Sequence, residues 1–272
     1  MKKFISTLLV FSLFLVAGIA IAQGAAKNSQ DDLKYTIPEQ DGTYDVLGHP
    51  ELKLRVFVYH EKPDRPGKPT PPSPQEVCGL SDPNPNELVI SAGWTIPNTW
   101  KYRLNTLSVP STVGAGDLPV IASNAYKQWT DAINNHNNQV TITEGLNTTV
   151  DRAFLDGQNI IAWARTSGSA LAISYIWYNR TTGVATEVDT IMNKKFTWYW
   201  SNPQDWTQSQ CAYQGVYDAQ DILTHELGHT MGLDDMYTET YSNHTMYGYG
   251  SKGETKKDTL TTGDILGVQE IY

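Results

Sequence analysis

The chain has 272 residues, of which 40 % are apolar and 18 % charged. That balance belongs to a folded protein and excludes a disordered one, while length alone does not separate one domain from two. A formal net charge of −9, with no basic run longer than Lys256-Lys257, excludes a binder of the nucleic-acid backbone.

Met1-Lys2-Lys3 opens the chain with positive charge, and residues 4–22 are almost wholly apolar, ending in Ala20-Ile21-Ala22. A basic start, an apolar run and a small-x-small end describe a secretory signal peptide over residues 1–22. The run is nearly long enough to anchor in a bilayer. Its Ala-rich end favours cleavage instead, so a secreted chain with no stable membrane association is expected. In an oxidising compartment the two cysteines, Cys78 and Cys211, most simply form one disulfide.

Residues 23–76 form an N-terminal segment. Residues 23–40 are polar, and residues 52–59 alternate and then turn apolar, as a strand does. Six prolines within residues 63–74 forbid helix or central strand and make a stiff, extended linker. The segment before that linker is too short to bury a core of its own. It is either a propeptide or a piece that packs on the main domain.

The main domain runs over residues 77–272. Residues 100–104 read as its first strand. Ile121, Ala125, Trp129 and Ile133 recur every four residues, which predicts a helix laying one apolar stripe on a sheet. Residues 140–142, 159–163, 172–178 and 185–193 read as strands, with Asn179-Arg180-Thr181-Thr182-Gly183 as a turn. Trp198, Trp200 and Trp206 read as packing rather than cleft lining. A helix among strands in this order predicts an α+β domain with one principal sheet.

Residues 218–235 carry the chemistry. Asp218 is a candidate N-cap, with Asp221 in the first turn of the helix it would open. His225 and His229 are four apart, so both imidazoles leave one helical face and suit a single Zn²⁺. Glu226 stands beside the first of them, placed as general base towards a zinc-bound water. Gly232 can take a left-handed conformation and end the helix, after which Asp235 can return as third ligand. Three protein ligands leave one position open, the mark of a catalytic site. Asp234 and His244 compete with Asp235 for that role.

The run His225-Glu226-Leu227-Gly228-His229-Thr230-Met231-Gly232-Leu233-Asp234-Asp235 resembles the extended zinc motif of the metzincins. The usual third ligand there is His, and Asp at this offset resembles the snapalysin-like variant. Thr245-Met246-Tyr247-Gly248 resembles the Met-turn, residues 260–272 the C-terminal helix of matrixins, and residues 156–163 secreted microbial matrixin-like enzymes. The resemblance implies a twisted, mostly parallel sheet with an active-site helix and a C-terminal helix. It also implies a monomeric zinc endopeptidase acting on protein or peptide substrates, with Met246 supporting the site from below.

No histidine lies between His136 and His225, so one catalytic zinc is expected, without the second, structural zinc of vertebrate-type matrixins. The resemblance allows a Ca²⁺ ion, for which Asp156-Gly157 and Asp189 are candidates. Cys78-Gly79-Leu80-Ser81-Asp82 faintly echoes the matrixin cysteine switch, with Glu76-Val77 where that motif has Pro-Arg; a Cys78–Cys211 disulfide would consume its thiol. The rival class is a catalytically silent secreted binding or adhesion module on the same fold, against which the intact Glu226 argues. A zinc enzyme acting on a non-peptide amide is a third reading.

Overall fold

The computed structural model describes residues 36–63, 88–136, 138–202 and 215–272. The signal peptide, most of the Pro-rich linker, both cysteines and Trp206 lie outside the described residues. Among the described residues no helix is long and apolar enough to cross a membrane.

One principal sheet organises the fold. Its strands are β1 (Gly42–Val46), β2 (His49–Glu61), β3 (Thr99–Leu104), β4 (Thr141–Glu144), β5 (Asn159–Ala164), β6 (Ala170–Asn179) and β7 (Ala185–Asn193). They lie in the order β1-β2-β6-β7-β5-β3-β4. Two more two-residue strands, β8 (Trp198–Tyr199) and β9 (Tyr217–Asp218), pair with each other, and β10 (Tyr249–Gly250) pairs with the end of β2. Strands β4, β3, β5 and β7 are mutually parallel, whereas β7, β6, β2 and β1 alternate in direction. The sheet is therefore mixed, and its antiparallel half is enlarged by β1 and β2. The segment before the linker thus joins the sheet and shares the core of the main domain.

Strands β5, β6 and β7 are rich in Ile, Val, Trp and Tyr and are buried on both faces, which is where such side chains fit a pleated surface best. Even-numbered residues of β2, Leu54, Val56 and Val58, pack on one face with Ile173, Tyr175 and Trp177 of β6. Odd-numbered Phe57 and Tyr59 enter the other, larger core, as the two-residue period of a strand requires.

Three helices cover that larger core. Helix α1 (Leu118–Asn134) buries Ile121, Ala125, Trp129 and Ile133 as its stripe predicts. Helix α2 (Ala219–Thr230) is buried on every side. Trp129 ties the two together, its Nε1 donating to Thr224 O at 2.8 Å. Helix α3 (Thr262–Ile271) starts with a reciprocal capping box between Thr261 and Asp264, a device that satisfies two otherwise orphaned backbone donors.

On the opposite face the loop before β5 is held by two buried carboxylates of β7. Asp189 accepts from Phe154 N and Ile160 N at 3.0 and 3.1 Å, and Glu187 accepts from Asp156 N and Gly157 N at 2.9 and 2.6 Å. Asp156 itself accepts from Gln158 N and Nε2, both at 3.0 Å. The calcium candidates Asp156 and Asp189 thus have their oxygens turned to N–H donors. Burial pushes the Glu187 carboxyl up to about 7.

Candidate active site

Helix α2 begins where Asp218 leaves extended backbone and its carboxylate accepts from Gln220 N and Asp221 N at 2.9 and 3.0 Å. That cap fixes the register of everything that follows. His225 and His229, one turn apart, place their rings 4.9 Å apart and perpendicular. The Nδ1 of His225 donates to Thr245 O at 2.7 Å, and the Nδ1 of His229 donates to Leu233 O at 2.9 Å. Each ring therefore carries its proton on Nδ1 and offers the lone pair of Nε2, the tautomer that binds a metal.

Gly232 ends the helix with φ +98°. A Cβ there would sit 2.1 Å from Trp94 O, so only glycine permits this exit. Trp94 reinforces it by donating Nε1–H to His229 O at 3.0 Å. The chain then turns and brings Asp235 back. Its Oδ1 lies 3.2 Å from His225 Nε2 and 3.6 Å from His229 Nε2, with both imidazole side chains at 0 % exposure and the carboxylate at 2 %. Asp235 Oδ2 accepts from the Tyr237 hydroxyl at 3.0 Å, which aims the other oxygen at the imidazoles.

His225 Nε2, His229 Nε2 and Asp235 Oδ1 are all buried without a hydrogen bond, as is Glu226 Oε1. Such orphaned atoms are costly unless something else satisfies them. Tetrahedral ligands about 2.0–2.1 Å from one Zn²⁺ stand about 3.4 Å from each other, close to the separations seen here. Among the described residues this is the one group of three or more His, Cys, Asp or Glu side chains able to hold a metal ion. The donor set fits zinc.

The electrostatics agree. Burial pushes His229 down to about 3, keeping it neutral, as a ligand must be. Burial acts to raise Asp235, but the imidazoles and the Tyr237 hydroxyl outweigh it and hold the carboxyl at about 2. Burial pushes Glu226 up to about 8, against the hydrogen bond from Ser174.

The competitors for third ligand are engaged elsewhere. Asp234 is half exposed, with Oδ1 accepting from Asp235 N and 3.9 Å from Arg55. His244 Nδ1 lies 2.6 Å from Thr261 Oγ1. Met246 is buried against helix α2 at Gly228, between the two histidines. A Cβ on Gly228 would come within 2.2 Å of Met246 Sδ and 2.8 Å of Trp129 Cζ2. Gly228→Ala should therefore lower the unfolding free energy by about 1–3 kcal/mol, despite the better helix propensity of alanine. Urea denaturation checks this, and an unchanged midpoint would mean that Met246 does not pack there.

Four partners of the site carry no sequence signal. Ser174 of β6 donates its hydroxyl to Glu226 Oε2 at 2.6 Å. Tyr237 orients Asp235, and Trp94 clamps the helix exit. Asp264 of α3 accepts from Thr245 N at 2.9 Å and Met246 N at 3.1 Å, so it holds the very carbonyl that fixes the His225 tautomer. Ser174, Trp94 and Asp264 act across long stretches of chain, and Tyr237, two residues from Asp235, follows no spacing rule that would mark it.

A comparison with protein families matches residues 94–272 to the model described as matrixin. No curated protein matches the chain.

Proposed function

The chain belongs to the matrixin family of metallopeptidases, and from that premise we propose that it is a secreted zinc endopeptidase whose ion is held by His225, His229 and Asp235. The observation that carries this reading is the convergence of three buried, unsatisfied ligand atoms on one point. Asp in the third position supports the snapalysin-like variant of the metzincin motif. The N-terminal signal supports export, and a protein or peptide is the substrate.

Zinc bound there supplies a Lewis acid that polarises the scissile carbonyl and acidifies water. Glu226 takes the proton from the attacking water and delivers it to the leaving amine. Burial raises its carboxyl above the ordinary carboxylate range, which suits it to hand the proton on. His229, kept neutral by burial, and Asp235, kept ionised by the imidazoles beside it, hold their protonation states throughout. Tyr237 and Thr245 O hold the ligands in place.

Ser174 is a positioning residue for the base. Its hydrogen bond favours the ionised form of Glu226, so Ser174→Ala should raise the pKa of the acidic limb of the pH–rate profile. It should lower kcat at least about tenfold, the scale of a lost hydrogen bond to a charged group. KM and zinc content should stay as they are. A profile that does not move would leave Ser174 a plain strand residue.

The silent binding module is the weaker reading, because the base and its hydroxyl partner are both in place. Hydrolysis of casein, inhibition by a chelator and recovery on adding back Zn²⁺ test the proposal. Cleavage that ignores the chelator would defeat it.

A further inference from the structure

A peptidase must admit a peptide, yet His225, Glu226 and His229 are each 0 % exposed. What covers them is strand β2. The ring of Phe57 stacks on His229 at 3.7 Å between centroids and 4° between planes, and the ring of Tyr59 stacks on His225 at 4.0 Å and 25°. Lys257, itself fully buried, donates to the Tyr59 hydroxyl, to Tyr247 O at 3.0 Å and to Tyr249 O at 2.8 Å.

The backbone of β2 is placed as informatively as its rings. On one side it pairs antiparallel with β6, with Phe57 opposite Ser174, the residue that holds Glu226. On the other side its end runs parallel to β10, with His60 and Glu61 opposite Tyr249 and Gly250. Lys62 N extends this by donating to Gly250 O at 2.9 Å. Residues 57–61 therefore bridge two rims with the candidate metal ligands between them. An extended peptide recognised by main-chain pairing to a free strand edge would lie the same way. Without β2, the outer edge of β6 would have no strand on it.

Two further observations separate β2 from the catalytic machinery. The family match starts at residue 94 and leaves out β1 and β2. Six prolines within residues 63–74 divide those strands from the rest of the chain.

Resting on the zinc-peptidase reading above, we propose that β2 is a latency strand: it occupies the peptide-binding cleft of its own chain, and the enzyme works only once residues 36–63 have left. Phe57 and Tyr59 are its anchors, and β6 and β10 are the rims it shares with the substrate.

A recognition sequence for a site-specific protease, inserted after Pro63 in the full-length chain, lets the connection be opened on demand. The freed segment is then removed by gel filtration. With zinc loaded, hydrolysis of a fluorogenic peptide should rise at least about tenfold on opening, which is about 1.4 kcal/mol of cleft occupancy. A synthetic peptide of residues 49–61 should restore inhibition, and the same peptide carrying Phe57→Ser and Tyr59→Ser should be at least about tenfold weaker. In the Glu226→Ala background, a fluorescent copy of residues 49–61 should bind the opened protein and not the intact one. An intact chain as fast as the opened one, or an opened chain indifferent to the peptide, overturns the latency strand and leaves the peptidase assignment standing. Peptide binding as described, with no hydrolysis in either form, keeps the strand in the cleft and overturns the peptidase assignment.

Discussion

Glu226→Ala should reduce kcat/KM by about 10³-fold, within the range that a positioned acid–base group contributes, while one equivalent of zinc stays bound. The two outcomes belong together because Glu226 is not among the side chains proposed to hold the ion, which are His225, His229 and Asp235. Removing a ligand would cost metal and activity alike, whereas removing the base costs activity alone. The measurement is steady-state hydrolysis beside metal analysis of the same preparation, taken on protein freed of residues 36–63. Full activity in the variant would show that the proton is moved by some other group. Loss of zinc would show that the carboxylate is a ligand.

Asp235→Ala should have the second large effect, on the metal itself. The carboxylate is almost fully buried, and its Oδ1 lies 3.2 and 3.6 Å from the two Nε2 atoms. Cutting it back leaves two imidazole nitrogens and the Tyr237 hydroxyl facing a void. Zinc affinity should fall by more than about 100-fold, since outer-shell partners alone are worth about 10–100-fold. Competition against a chromophoric chelator gives the number. An affinity equal to that of the unaltered chain would move the third ligand to Asp234 or His244, whose side chains are turned to Arg55 and Thr261.

Much of this was legible in the sequence because its signals are local. The stripe Ile121, Ala125, Trp129 and Ile133 specifies a helix wherever it packs, and the apolar runs 159–163, 172–178 and 185–193 are strands by composition. The cluster of His225, His229 and Asp235 was legible for a different reason. Helix α2 is buried on all sides, so it has no amphipathic stripe to read. Its histidine spacing and the glycine that ends it declare the chemistry instead.

What stayed hidden depends on pairing between distant segments. The strand in residues 52–59 was readable, but nothing in its own residues says that it lies on β6, and hence over the histidines. Phe57 and Tyr59 look like any alternating core residues until the register with Ser174 and Ala172 is known. Ser174 is one small residue in an apolar strand, and its role exists only because Glu226 comes up opposite it. Strands β8, β9 and β10 have two residues each, too few for an alternating pattern to form. The extent of the antiparallel half follows from the same fact: β6 and β7 already pair antiparallel across the turn at residues 179–183, and β1 and β2 are added from the segment before the linker.

Zinc K-edge X-ray absorption on the purified chain carrying one equivalent of Zn²⁺ addresses the central claim most directly. The predicted spectrum has a first shell of nitrogen and oxygen at about 2.0–2.1 Å, with outer-shell scattering from two imidazole rings that drops to one in His229→Ala. A sulfur scatterer at about 2.3 Å, a third imidazole, or a protein that retains no zinc would contradict it.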